Sequence, residues 1–140
     1  SYLSGRAQRV TVGQASSNFT PILTGVPQGS VLGPLLFTLY TSPIGHIVNS
    51  WGVNHQQYAD DTQLFVPLQT VHSISVLENC LTDLHNWFCL NGLALNPNKS
   101  ETINFSTSQR ARFSEHVAGV NVAGTTVSTS PPLEWSWTID

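Results

Sequence analysis

Gln56-Gln57-Tyr58-Ala59-Asp60-Asp61-Thr62-Gln63-Leu64-Phe65-Val66 sets two adjacent carboxylates between an aromatic residue and an apolar run. Strand formers on both sides of a turn-forming centre predict a β-hairpin over 56–66, with Tyr58 on one strand and Leu64, Phe65 and Val66 on the other. Neighbouring like charges repel, so the pair is either an ordinary solvated turn or the seat of something positive. A divalent cation with oxygen ligands suits it. Mg²⁺ is the foremost candidate, because it takes few protein carboxylates and keeps positions for water and phosphate. Two-metal phosphoryl transfer uses such a pair, with ions roughly 3.5–4 Å apart over the attacking and leaving oxygens.

Downstream of the hairpin, Ile74, Leu77, Leu81, Leu84 and Phe88 alternate spacings of three and four, which predicts a helix over 73–91 stopped at Gly92. Ser73 or Thr70 is placed to cap it. An extended piece and a polar turn follow over 93–100, then a strand over 101–106 with Ile103 and Phe105 inward. Residues 107–116 read as a loop carrying Arg110 and Arg112. Val117 to Val127 reads as a hairpin bent at Gly119 and Gly124, and the tail 131–140 fits no element.

Upstream, Thr24-Gly25-Val26-Pro27-Gln28-Gly29-Ser30 is a turn-rich loop whose two glycines permit positive φ or close backbone approach. A helix begins near Pro34 with Leu35, Leu36, Leu39 and Tyr40 on one face, is interrupted at Pro43, and resumes through Ile44, Ile47 and Val48. Residues 1–24 read as two short strands around Gly13-Gln14. Helices and hairpins in this order predict an α+β domain.

Of the 140 residues, 40% are apolar, enough for a core, while only 9% are charged. Soluble domains average about 25% charged, so part of this surface is expected to be covered by something else. A net charge of −3 provides no broad basic footprint for nucleic acid. Cys80 and Cys89 form no disulfide framework, and the histidines show no metal-ligand spacing with them. Ser30 does not fit a nucleophile elbow. Neither a signal peptide nor a membrane-length apolar run is present, and there is no methionine. The expectation is an intracellular chain, nuclear or cytoplasmic and not secreted, cut from something longer.

Three blocks in order carry a family likeness: Gly25-Val26-Pro27-Gln28-Gly29-Ser30-Val31-Leu32-Gly33-Pro34-Leu35-Leu36-Phe37, then Tyr58-Ala59-Asp60-Asp61, then Asn91-Gly92-Leu93-Ala94-Leu95-Asn96-Pro97-Asn98-Lys99-Ser100-Glu101. Together they resemble motifs B, C and D of the reverse transcriptase palm, most closely the non-LTR, LINE-type retrotransposon enzymes. Ser1-Tyr2-Leu3-Ser4-Gly5-Arg6 is similar to the segment ahead of motif B. The likeness implies a partial reverse transcriptase domain over 1–140. Strands before motif B occupy 1–24, the motif B loop and helix 25–49, the motif C hairpin 56–66, motif D 73–106, and a C-terminal hairpin and tail 107–140. It implies a polymerase palm fragment in which an antiparallel sheet with a catalytic hairpin packs against two or three helices.

The resemblance implies roles too. Asp60 and Asp61 would be the metal-binding and catalytic carboxylates for two Mg²⁺ ions, and Lys99 would neutralise or protonate the leaving pyrophosphate. Gly25, Pro27, Gln28 and Gly29 would lie against template and incoming nucleotide, with Tyr58 near the primer end. Partners would be an RNA template, a DNA primer, dNTP and the rest of the polymerase chain, with no membrane. The family's motif A aspartate has no counterpart here. Leu133-Glu134-Trp135-Ser136-Trp137-Thr138-Ile139-Asp140 replaces the family's Leu-Gly-Val-x-x-Asp strand without its glycine. The expected function is RNA-directed DNA synthesis by the complete enzyme; the alternative is a non-catalytic remnant or interaction module.

Overall fold

The computed structural model describes residues 3–27, 29–68, 72–106 and 117–134. The chain divides into two compact units, Ser1–Thr41 and Ser42–Asp140.

The first unit opens with a long hairpin broken into two ladders. Strand β1 (Arg6–Gln8) pairs antiparallel with β4 (Thr20–Ile22), and β2 (Thr11–Val12) pairs with β3 (Ala15–Ser16). Two strands were expected over 1–24; the structure has four. Ser17 splits each arm, because its hydroxyl takes the Val10 N–H at 3.0 Å and donates to the Asn18 carbonyl. Gly13, at φ +59, makes the tight bend. Helix α1 (Gly33–Thr41) follows the Thr24–Ser30 loop. Its expected packing face does not form: Leu35, Leu39 and Tyr40 are exposed, and Leu36 and Phe37 are half-buried. Apolar side chains surround this short helix, so periodicity has no polar side to choose against.

The second unit holds the core. Helix α2 (Pro43–Ser50) carries Pro43 in its first turn and stops at Gly52, which sits at φ +67. The Gly52 and Val53 N–H groups donate back to the Asn49 and Val48 carbonyls, a Schellman closure. Helix α3 (His72–Leu90) ends the same way at Gly92: the Gly92 and Leu93 N–H groups donate to the Cys89 and Phe88 carbonyls. Ser73 thus lies inside the first turn, while Thr70 is outside the described residues.

Ile44, Val48, Val53, Cys80 and Leu84 are buried together, with Ile47, Trp51, Leu64, Val66, Val76, Trp87 and Phe88 packed around them. The buried stripe of α3 is centred on Cys80 and Leu84, and Ile74, Leu77 and Leu81 are half-buried. The expected stripe was turned slightly, since a small buried cysteine completes the face as well as a leucine does. Burial raises the Cys80 thiol above its ordinary range, and the Asp83 carboxylate adds to that rise. Asp83 also accepts from Trp51 Nε1 at 2.9 Å, tying the end of α2 to α3.

Strands β5 (Asn54–Tyr58) and β6 (Asp61–Phe65) make a hairpin of their own. Beyond a 3₁₀ turn (Pro97–Lys99), β7 (Thr102–Ser106), β8 (Gly119–Val122) and β9 (Thr125–Glu134) form a sheet ordered β7-β9-β8. The expected α+β mixture of helices and antiparallel strands is present, but not as one antiparallel sheet among the described residues. They form separate small sheets, and β7 runs parallel to β9. The β7–β9 register slips where Asn104 faces Pro131 and Pro132, residues that lack the N–H a ladder needs. Strand β7 also presents the opposite face to that expected: Asn104 is buried while Ile103 and Phe105 are exposed. A one-residue change in register inverts every side chain of a strand. The β8–β9 bend is Ala123-Gly124, both at positive φ. Gly119 lies within β8, where a Cβ would come 2.8 Å from the Val127 carbonyl. The expected loop 107–116 and the tail from Trp135 lie outside the described residues. No helix among the described residues is long and apolar enough to cross a membrane.

Candidate functional site

Tyr58 pairs with Asp61, so Ala59 and Asp60 alone make the hairpin bend. Ala59 adopts φ +53 at the first position of this two-residue bend, and Asp60 does not share the positive φ. An L-residue in that region costs roughly 1 kcal/mol. Ala59→Val, whose branched Cβ tolerates positive φ still less, is expected to lower stability by about 1–2 kcal/mol, while Ala59→Gly does not. Urea titrations of the two variants test this, and equal midpoints would remove the strained bend.

The register decides what faces outward. Asn54, Gln56, Tyr58, Asp61, Gln63 and Phe65 are exposed on one face, while His55, Gln57, Thr62 and Leu64 are half-buried on the other. Leu64 joins the core from that inner face, and the His55 ring lies against Gly45, where a Cβ would meet Nε2 at 3.2 Å. Glycine thus lets α2 approach β5 closely. The hairpin is held from behind and open in front. Tyr58 is 82% exposed, and Asp60 and Asp61 are exposed beside it.

Two other carboxylates of this unit have structural partners: Asp83 takes the Trp51 indole, and Glu78 takes the Asn121 N–H at 3.0 Å. Asp60 and Asp61 have no hydrogen-bond or ion-pair partner among the described residues. Their oxygens are of the kind that suits a hard cation keeping water and phosphate ligands, and two carboxylates would supply only part of its coordination shell. Among the described residues no group of three or more His, Cys, Asp or Glu side chains gathers to complete it.

Lys99 is exposed at the end of the 3₁₀ turn. The turn is well fixed: the Asn96 side chain accepts from the Asn98 N–H at 3.1 Å, and Ser100 Oγ donates to the Asn96 carbonyl at 2.9 Å. No hydrogen bond or ion pair joins Lys99 to Asp60 or Asp61 among the described residues.

In the first unit, Gly25 and Gly29 sit at φ +73 and +76. The Ser30 N–H donates to the Pro27 carbonyl at 3.2 Å, closing a turn with Gly29 where a type II bend needs positive φ. A Cβ at Gly33 would lie 2.9 Å from Ser30 Oγ, so a larger residue there would require that hydroxyl to move. Gln28 lies outside the described residues. Arg6 was quoted in the sequence only as part of a leading block, yet its Nη2 donates to the Gly25 carbonyl at 2.7 Å and the Thr24 carbonyl at 3.4 Å. A bond spanning 18 or 19 residues leaves no periodic signal to read.

The sequence model of the family described as reverse transcriptase (RNA-dependent DNA polymerase) matches residues 1–129. The RNA-directed DNA polymerase from mobile element jockey of Drosophila melanogaster is 30% identical over 112 residues, covering 76% of this chain and 12% of that protein. Its counterpart in Drosophila funebris is 27% identical over 134 residues, covering 91% of this chain and 14% of that protein. The probable RNA-directed DNA polymerase from transposon BS of Drosophila melanogaster is 34% identical over 106 residues, covering 71% and 12%. The chain therefore spans about an eighth of the length of these relatives. No solved structure matches it. A family match running through nearly the whole chain, with retrotransposon polymerases as its relatives, establishes that the chain belongs to the reverse transcriptase (RNA-dependent DNA polymerase) family, in its non-LTR retrotransposon branch.

Proposed function

We propose that this chain is the palm portion of an RNA-directed DNA polymerase, in which a primer 3′-hydroxyl attacks the α-phosphate of a dNTP and pyrophosphate leaves. The observation that carries the proposal is the pair Asp60 and Asp61, exposed and unpartnered among the described residues at a bend held firmly from behind. Solvated turns accept carboxylates freely, but an inner face half-buried against the core and a strained Ala59 hold this bend in one place.

Asp60, Asp61 and a motif A aspartate from elsewhere in the polymerase would hold Mg²⁺. When bound, that ion offsets the charge developing on the attacking and leaving oxygens. Positioning and neutralisation do most of the work in phosphoryl transfer, so few side chains need be chemical. Gly25, Pro27 and Gly29 bring backbone close to template and nucleotide. Tyr58, on the open face beside Asp61, packs near the primer terminus. Lys99, free of a carboxylate partner among the described residues, neutralises or protonates the departing pyrophosphate. The remaining polymerase covers the exposed Val31, Leu35, Leu39 and Phe105.

The test is primer extension on an RNA template with Mg²⁺. A polymerase that joins this chain to a motif A segment is expected to extend the primer. The 140 residues by themselves are expected to be inactive, since two carboxylates make an incomplete site. If neither extends a primer, the chain is a non-catalytic remnant; synthesis by the 140 residues alone would show that the third carboxylate is dispensable.

A further inference from the structure

Arg6 marks the end of the β1–β4 ladder, opposite Ile22. Past that point the chain has no strand partner, and the Thr24 and Gly25 carbonyls would face water. Both instead converge on one nitrogen, Arg6 Nη2. Successive carbonyls of an extended chain point to opposite sides. The positive φ of Gly25 is what brings the two to the same side.

The peptide plane transmits this choice. In a trans peptide the N–H of one residue points away from the carbonyl of the residue before it. Holding the Thr24 and Gly25 carbonyls toward Arg6 therefore turns the Gly25 and Val26 N–H groups to the far side. Neither N–H has a partner among the described residues. Nor does Arg6 pair with a carboxylate there, and its Nε is enclosed without a hydrogen bond. The cation's charge is thus directed at backbone carbonyls, where a charged donor is roughly twice as strong as a neutral one.

We propose that Arg6 is a positioning residue: by clamping the Thr24 and Gly25 carbonyls it presents the Gly25 and Val26 N–H groups as donors to a phosphate oxygen. This rests on the reading of the glycine loop as nucleotide-facing and deepens it, naming the phosphate of either the incoming dNTP or the nucleic-acid strand as the ligand. Backbone donors suit that ligand because they add no side-chain bulk and carry no charge of their own into a surface that must release its product.

The experiment compares Arg6→Ala and Arg6→Lys with wild type in a polymerase that carries this chain joined to motif A. Three quantities are read: the Kd for primer–template by fluorescence anisotropy without catalysis, the dNTP KM, and kcat. Arg6→Ala is expected to raise either Kd or KM about tenfold, leaving kcat within about threefold and lowering the melting temperature by only a few degrees. A rise in KM assigns the phosphate to dNTP, and a rise in Kd assigns it to the strand. Arg6→Lys, whose ammonium satisfies one carbonyl, should recover part of the loss. Kd and KM both within twofold of wild type would overturn the proposal, as would losses that track melting temperature alone in both variants. An active Asp60→Asn enzyme would instead undo the reading of the catalytic pair, leaving the Kd arm to judge Arg6 separately.

Discussion

Asp60→Asn, made in a polymerase that joins this chain to motif A, is expected to cut kcat by a factor on the order of 10³ or more, with primer–template affinity within about threefold. Asparagine keeps the size and turn preference of aspartate, so the two-residue bend and the β5–β6 register survive. What is lost is one negative charge and an anionic ligand oxygen. Stability will hardly change: two unit charges roughly 6 Å apart in water repel by only about 0.7 kcal/mol, and Asp60 has no internal partner to lose among the described residues. Activity and folding are thereby separated. A melting temperature at or slightly above wild type beside a near-complete loss of synthesis is the expected signature. Asp61→Asn, which removes the assisting carboxylate, should lose less. Synthesis by Asp60→Asn within tenfold of wild type would strip Asp60 of its role, and a parallel loss of primer–template binding would make the hairpin a structural element instead.

The parts of this fold that could be read in the sequence were those governed by local rules. A turn at the carboxylate pair between strand formers, the helix stop at Gly92, and Pro34 in the first turn of α1 depend only on neighbours in the chain. The hairpin begins at Asn54, two residues before the boundary inferred, because Asn54 pairs with Phe65 although its own propensity for a strand is low. The pairing of β7 with β9 was not legible, since parallel partners are chosen by distant packing. Nor was the burial of Asn104 between exposed Ile103 and Phe105, an arrangement opposite to what hydrophobicity alone selects. Order and spacing singled out Asp60, Asp61 and Lys99 as candidates, but the family likeness that did so says nothing of Arg6. Its contribution is a long-range bond to main-chain carbonyls, and any residue type supplies a carbonyl.

Leu84→Asp is expected to abolish the cooperative unfolding transition of the chain at neutral pH, followed by circular dichroism, whereas Leu81→Asp should keep it. The sequence stripe gives these leucines equal weight, but Leu84 is 2% exposed and Leu81 is half-buried. At position 81 a carboxylate can turn toward water, at a cost of about 1 kcal/mol. At position 84 it would sit among Ile44, Val48, Val53 and Cys80, with no cation within that cluster. Leu84→Ala already removes apolar volume worth roughly 2–5 kcal/mol. A buried unpaired charge adds several kcal/mol more, against total stabilities of about 5–15 kcal/mol for whole domains. The sign of the pH dependence separates the two terms. Burial raises the pKa of the introduced carboxyl, so the folded state binds a proton more tightly than the unfolded one, and folding of Leu84→Asp should return in part as pH falls toward 5. Leu84→Ala carries no such group and should show no recovery. A cooperative Leu84→Asp transition at pH 7 would mean that the core lies elsewhere on α3, and with it the support behind the Asp60 bend.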